Sequence, residues 1–208
     1  MEYITSSDFH FKDTAVALGK FEGIHRGHQL LMDEVKKQEL HGLRSVVFTF
    51  DRPTRLTLTG DTEYKQIYTK KERREILEKR GIDILIEHPF TKEFAALTPD
   101  RFIREVLVEK VGAKVIVVGT DFHFGKNRSG SITDLEKLEE ECGYHLIVVE
   151  KLQLNGKDIS STRIRASLEK GAMEEAKALL GRNYSVSGEI LHGNALGRTI
   201  QVPTINQQ

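Results

Sequence analysis

The sequence predicts an α/β protein built on a doubly wound parallel sheet, and three observations carry that expectation. Short β-branched runs alternate with amphipathic stretches along most of the chain. Gly81, Gly112 and Gly143 each stand where an amphipathic stretch ends and a helix can close on a left-handed residue. The composition, 38% hydrophobic and 30% charged over 208 residues, is that of a globular chain with room for one large domain or one domain plus a fragment.

In chain order, Ala15 to Leu18, Val46 to Phe50, Ile82 to Ile86, Val115 to Val118 and Leu146 to Val149 read as buried strands, with helices between them at 27–40, 69–80, 99–111 and 131–142. Strands joined by helical crossovers run parallel, and right-handed crossovers place helices on both faces. In such sheets ligands bind beyond the carboxyl ends of the strands, which directs attention to the loops after the first, second and fourth. After Val149 a short segment at 153–157 leads to a helix opened by Ser160 and Ser161, and a second runs from Met173 to Leu180. A boundary near 181–184 follows, dividing 1–182 from 183–208. From Tyr184 the residues alternate as in a strand, through a Gly-rich turn to another short strand at Thr199 to Val202.

Charge and cysteine usage narrow the partners. Thirty-one basic and 31 acidic residues give a net charge of zero, so no whole-molecule field draws the chain to nucleic acid or anionic lipid. Cys142 is the single cysteine, which excludes an internal disulfide framework. Residues 1–8 lack a signal-peptide pattern, and no apolar run approaches the ~18 residues of a membrane span. The chain reads as cytoplasmic, with no nucleic-acid or membrane partner.

Three motifs carry chemistry. Gly19-Lys20-Phe21-Glu22-Gly23-Ile24-His25-Arg26-Gly27-His28 joins the first strand to the first helix. His25 and His28 are three apart, so a helical first turn sets their β-carbons about 5–6 Å from each other on one face. Gly27 lets a ligand approach the backbone, and the unpaired N–H groups of a helix start favour phosphate oxygens. Nucleotide phosphates fit best, with a metal or a pair of surface histidines as the alternatives. Ser160-Ser161-Thr162-Arg163-Ile164-Arg165 opens a later helix, either as an ordinary cap or as a second phosphate clamp of hydroxyls and guanidinium groups. Gly119 to Gly130 follows the fourth strand as a ligand loop, in which Phe122 and Phe124 are equally readable as binding residues or core plugs. The basic run Lys70 to Arg74 reads as a solvated helix face.

These motifs, in this order and together with Leu97-Thr98-Pro99-Asp100-Arg101-Phe102, resemble the bacterial bifunctional riboflavin kinase/FMN adenylyltransferase family, the FAD synthetases. The resemblance implies a Rossmann-like sheet of the nucleotidyltransferase type over 1–182, followed over 183–208 by the first strands of a riboflavin kinase β-barrel. It implies transfer of AMP from ATP to FMN with Mg²⁺, with kinase activity expected only where the barrel is completed. His25, His28 and Arg165 would be catalytic. Gly19, Phe21, Gly27, Asp121, Ser161 and Thr162 would join His28 and Arg165 around ATP. Asp121, Phe122, Phe124 and Arg128 would meet the flavin, and Thr204 and Asn206 of the kinase fragment would help hold Mg-ATP. A flavin- or nucleotide-binding regulator without turnover and a nucleotidyltransferase for another small phosphate ester remain as alternatives. Three departures stand out: Glu22 where the family has Asp, Asp51-Arg52-Pro53-Thr54 where it has Pro-His-Pro, and Gln201 where Gly is usual.

Overall fold

The computed structural model describes residues 1–52, 65–191 and 206–207. Six parallel strands, β1 (Glu2–Ile4), β2 (Thr14–Leu18), β3 (Arg44–Phe50), β4 (Ile84–His88), β5 (Ala113–Gly119) and β6 (His145–Val149), form one sheet in the order β1-β4-β3-β2-β5-β6. All five expected strands are present and parallel; β4 begins at Ile84 rather than 82. The added strand β1 is a three-residue edge paired with β4, too short to show a period in the sequence.

The central strands are apolar almost throughout because both faces are covered, and period-two alternation divides their side chains between two cores. Val16, Leu18, Val46, Phe48, Ile84, Ile86, Ile116 and Val118 face one side, under Ile103, Val106, Leu107 and Leu135. Ala15, Ala17, Val47, Leu85, Val115 and Val117 face the other, against Leu31, Met32 and Val35 of α1 (Arg26–Lys37) and Leu77 of α2 (Lys70–Lys79).

After the short α3 (Lys92–Ala95), the stretch expected as one α-helix over 99–111 is different in pitch. A single turn, α4 (Pro99–Arg101), runs into a π-helix over Phe102–Lys110, closed by Val111 N–H on Val106 O at 2.9 Å. The buried positions Phe102, Ile103, Val106 and Leu107 lie on its sheet-facing side. Its end is built into the β1–β2 connection: Thr14 Oγ1 donates to Val111 O, and a Cβ on Gly112, at φ +67°, would lie 2.2 Å from Phe11 O. Only glycine fits there.

The basic run on α2 is not wholly solvated. Lys70 and Lys71 are exposed, but the Arg73 guanidinium pairs with Glu87, which is buried in β4, and Arg74 lies 3.4 Å over the Tyr3 ring. The Tyr3 hydroxyl also donates to Glu87. A carboxylate in a sheet needs such partners, and Arg73 and Tyr3 supply them.

Beyond α5 (Ile132–Cys142) and β6, the hairpin β7 (Gln153–Leu154) and β8 (Lys157–Asp158) leads to α6 (Ser161–Glu169) and α7 (Met173–Leu180). Their apolar faces meet Ile67 and Tyr68 in a third cluster with Ile159, Ile164, Leu179 and Leu180. The strand expected from Tyr184 begins instead at β9 (Ile190–Leu191), which pairs antiparallel with β10 (Asn206–Gln207). Residues 183–189 are drawn off to α2: Tyr184 Oη donates to Ile67 O, and Ser187 N–H to Glu72 Oε1. Pro53, Thr54, the strand expected at Thr199 to Val202, Gln201 and Thr204 lie outside the described residues, as does the side chain of Asn206.

Candidate functional site

The order of strands reverses at β2: the chain steps outward through β3 to β4, then returns to the other side of β2 as β5. A crevice at such a reversal, outside the carboxyl ends of the strands, is where an open α/β sheet binds its ligand. The loops after β2 and β5 both end there.

The loop after β2 is held in unfavourable backbone geometry. Phe21 and Ile24 have φ of +45° and +42°, a region that bulky and β-branched residues avoid. Several contacts hold it: Thr49 Oγ1 donates to Lys20 O at 2.9 Å, Gln29 Nε2 to Ile24 O at 2.9 Å, and Phe21 and Ile24 are fully buried. The loop delivers His25 to the N-cap of α1, where His25 Nδ1 accepts the N–H of His28 at 3.3 Å. An imidazole takes the place of the usual Ser or Asp cap. With Nδ1 accepting, the His25 ring proton resides on Nε2.

The two imidazoles stack, centroids 3.7 Å apart and planes within 15°, with Phe21 5.0 Å from His28 and the His25 ring against Gly27. Burial, then the charge of Arg182, pushes the His25 pKa down to about 4, while Asp121 and Glu22 pull it back up. Burial and the neighbouring His25 hold His28 well below its ordinary value. Both rings are neutral at pH 7. His28 Nδ1 is buried without a hydrogen-bond partner among the described residues, so any bond from this ring to a ligand leaves through Nε2.

Ser160 caps α6, accepting Arg163 N–H at 3.3 Å, so the capping role is present. The helix start also meets the histidine loop. A Cβ on Gly23 would sit 3.0 Å from Ile67, 3.4 Å from Ile164 and 3.6 Å from Ser161 Oγ, a close approach that joins the two motifs. Arg165 reaches across to Glu22 through two contacts of 3.2 Å, Nε on Oε1 and Nη2 on Oε2, and Glu22 Oε1 also accepts Ile67 N–H. Thr162 is exposed and Ser161 half-buried at the same end. Arg163 turns away: it binds Glu175, Leu154 O and Lys157 O, outside the crevice.

The loop after β5 divides in role. Phe124 is a core residue, bridged to Gly130 and 5.4 Å from Phe102, while half-buried Phe122 stacks on it at 5.5 Å. Pro99 packs against Gly125 and Gly130, and Lys126 N–H donates to Leu97 O, so the Leu97 to Phe102 motif serves to brace this loop. Asp121, beside Gly119, is exposed and paired with Lys151 at 3.1 Å; Arg128 is exposed at φ +58°. Desolvation and the charges of Arg128 and Arg165 lower the Lys20 ammonium, with Glu22 opposing. Gln29 and Arg182 have no motif to announce them, and Glu22 stands in the histidine motif without a role assigned from the sequence. At Asp51, which replaces the family histidine segment, the carboxylate accepts Phe90 N–H at 3.0 Å and pairs with Arg52.

A six-stranded parallel sheet with helices packed on both faces and its strand order reversing at β2 is a nucleotidyltransferase-like fold. Comparison with known proteins is more specific. Residues 8–163 match the FAD synthetase family and residues 180–208 the riboflavin kinase family. The chain belongs to the FAD synthetase family. A bifunctional riboflavin kinase/FMN adenylyltransferase of Listeria monocytogenes is 34% identical over 205 residues, 98% of this chain and 65% of the relative. One from Buchnera aphidicola is 33% identical over 196 residues, 93% of this chain and 63% of the relative. The chain thus spans less than two thirds of the length of these curated relatives. A Streptococcus pneumoniae crystal structure titled a macrolide-efflux protein superposes with a TM-score of 0.87 at 31% identity, covering 100% of this chain and 69% of that one. Among the described residues of the present chain no helix is long and apolar enough to cross a membrane.

Proposed function

We propose that this chain transfers AMP from ATP to FMN, forming FAD and releasing pyrophosphate. The observation that carries the reading is the stacked His25/His28 pair on the α1 start, in a loop that meets the start of α6 through Gly23 against Ser161 and Glu22 on Arg165. An FMN phosphate oxygen attacks the α-phosphorus, and the bond from that phosphorus to the bridging oxygen of pyrophosphate breaks. The FMN phosphate is already anionic near neutral pH, so attack needs no general base. His25 Nε2–H donates to a phosphate oxygen, and charge building on the leaving pyrophosphate is met by the imidazoles, the helix N-terminus and the Arg165 guanidinium. Positioning and charge stabilisation supply the catalysis; no covalent intermediate with the protein is required.

Asp121, Phe122 and Arg128 are the flavin-facing candidates, with Phe124 acting through its packing beneath Phe122. Mg²⁺ would arrive on the triphosphate and neutralise its charge. Among the described residues no three His, Cys, Asp or Glu groups cluster to cage a metal, which suits an ion bound chiefly by phosphate oxygens and water. Incubating the chain with ATP, FMN and Mg²⁺ should yield FAD and pyrophosphate in equal amounts. ATP binding with no FMN-dependent pyrophosphate would leave a nucleotide-binding regulator, and pyrophosphate release with a different phosphate ester would redirect the substrate.

A further inference from the structure

The strained loop that presents the histidines is gripped from a distant part of the chain. Gly181, at φ +70° and packed on Arg26, ends α7 and turns the chain so that Arg182 points back under the loop. Its Nη1 donates to Ile24 O at 2.7 Å and to Leu180 O at 3.2 Å, and its Nη2 to Gly23 O at 3.0 Å. Gln29 Nε2 bridges the same pair, Ile24 O and Leu180 O, at 2.9 and 2.8 Å. The carbonyls gripped are those of the residue with φ +42° and the one before it, immediately ahead of His25. Below, the Arg182 guanidinium lies 5.2 Å over the Tyr68 ring, which contacts Tyr184 at 5.5 Å.

We propose that Arg182 is a positioning residue for the nucleotide site: its planar fork holds Gly23 and Ile24 in the geometry that makes His25 the cap of α1, and so ties the histidine pair to the docking of segment 182–187 on the start of α2. The reason is geometric. A backbone at positive φ persists only where its surroundings over-determine it, and a guanidinium donates in fixed directions to two adjacent carbonyls in a way an ammonium cannot. Segment 182–187 is itself docked through Tyr184 Oη on Ile67 O at 3.0 Å and Ser187 N–H on Glu72 Oε1 at 2.9 Å. Glu22, which holds Arg165, also accepts Ile67 N–H, so both sides of the crevice meet at Ile67. Arg182 acts on His25 through the backbone and through its charge; the other charged or titratable groups that face His25 are Asp121, Glu22 and the stacked His28.

The activity arm of the test rests on the transfer reading above; the titration arm does not. Arg182→Met and Arg182→Lys are made in the full chain, with pyrophosphate release measured against ATP concentration and the His25 ring titration followed by NMR. In Arg182→Met we expect kcat to fall by about 10²-fold, the scale of an ångström-sized misplacement, with KM for ATP changed by less than about threefold. The His25 titration should move up toward its ordinary range. In Arg182→Lys the retained charge should leave that titration where it is in the parent chain, while kcat stays about tenfold low because one ammonium does not bridge both carbonyls. A folded Met variant with the parent kcat, or with an unmoved His25 titration, would overturn the proposal. If the Met variant does not fold, parent-level kcat in the Lys variant overturns it. If the parent chain releases no pyrophosphate, the transfer reading fails, and the His25 titration in Arg182→Met alone decides the role of Arg182.

Discussion

The two arms of the crevice are held in different ways. On one side the histidine loop is fixed by its own surroundings: its backbone is strained and over-determined, and its rings are stacked, His25 buried. On the other, α6 is an ordinary capped helix whose Arg165 guanidinium rests on a carboxylate, Glu22. On the proposed transfer reading, the first arm is preorganised toward charge that develops in the transition state, and the second exchanges one anionic partner for another. Removing a histidine should therefore cost rate, and removing the arginine should cost affinity.

The largest effect is expected at His28. His28→Ala should lower AMP transfer by at least about 10²-fold, as loss of one preorganised donor commonly does, with little change in ATP affinity or melting temperature. Next comes the pH dependence of stability. The folded His25 pKa, about 4 against an ordinary 6.5, means the unfolded chain takes up a proton that the folded chain refuses. Stability from this group is then complete above about pH 6.5, lost as pH falls toward 4, and amounts to about 3 kcal/mol. Urea melts across that window should show the loss, and His25→Gln should flatten it.

Smaller is the change at the second arm. Arg165→Ala should weaken ATP binding by about 10–100-fold, the value of a charge-assisted hydrogen bond at 1.5–3 kcal/mol, read by calorimetry. Its unliganded melting temperature should also drop, because Glu22 is left short of a partner in a site where it is 11% exposed. Smallest is Glu22→Gln, which weakens the competing grip on Arg165. ATP should bind about two- to fivefold more tightly, as for a partly screened ion pair of 0.2–1 kcal/mol. Weaker binding in that variant would mean that Glu22 orients Arg165 for the ligand rather than competing with it.

Much of this was readable in the residues, for identifiable reasons. Four of the five main strands declare themselves because both faces are buried and the apolar runs are continuous, while β6, half-exposed at the sheet edge, shows only its apolar run Leu146 to Val149. β1 does not, since three edge residues carry no period, and neither does the π-helix, whose buried positions also fit an α-helix. The spacing of His25 and His28 places both on one face, but nothing in it tells that His25 caps the helix through its own ring. Arg163 and Arg165 look alike in the motif, yet residues two apart on a helix do not face the same way; one turns to Glu175 and the other to Glu22. The Phe122/Phe124 ambiguity divides similarly, with Phe124 in the core. Arg182 has no local signal, since the loop carbonyls it grips, those of Gly23 and Ile24, lie more than 150 residues earlier in the chain.

The most direct measurement is steady-state pyrophosphate release from ATP and FMN, with calorimetric ATP affinities, in the parent chain, His28→Ala and Arg165→Ala side by side. The account predicts FMN-dependent release by the parent chain, a loss confined to kcat in His28→Ala, and a loss mainly in ATP affinity in Arg165→Ala. Parent-level turnover in folded His28→Ala, or identical kinetic defects in the two variants, would contradict it.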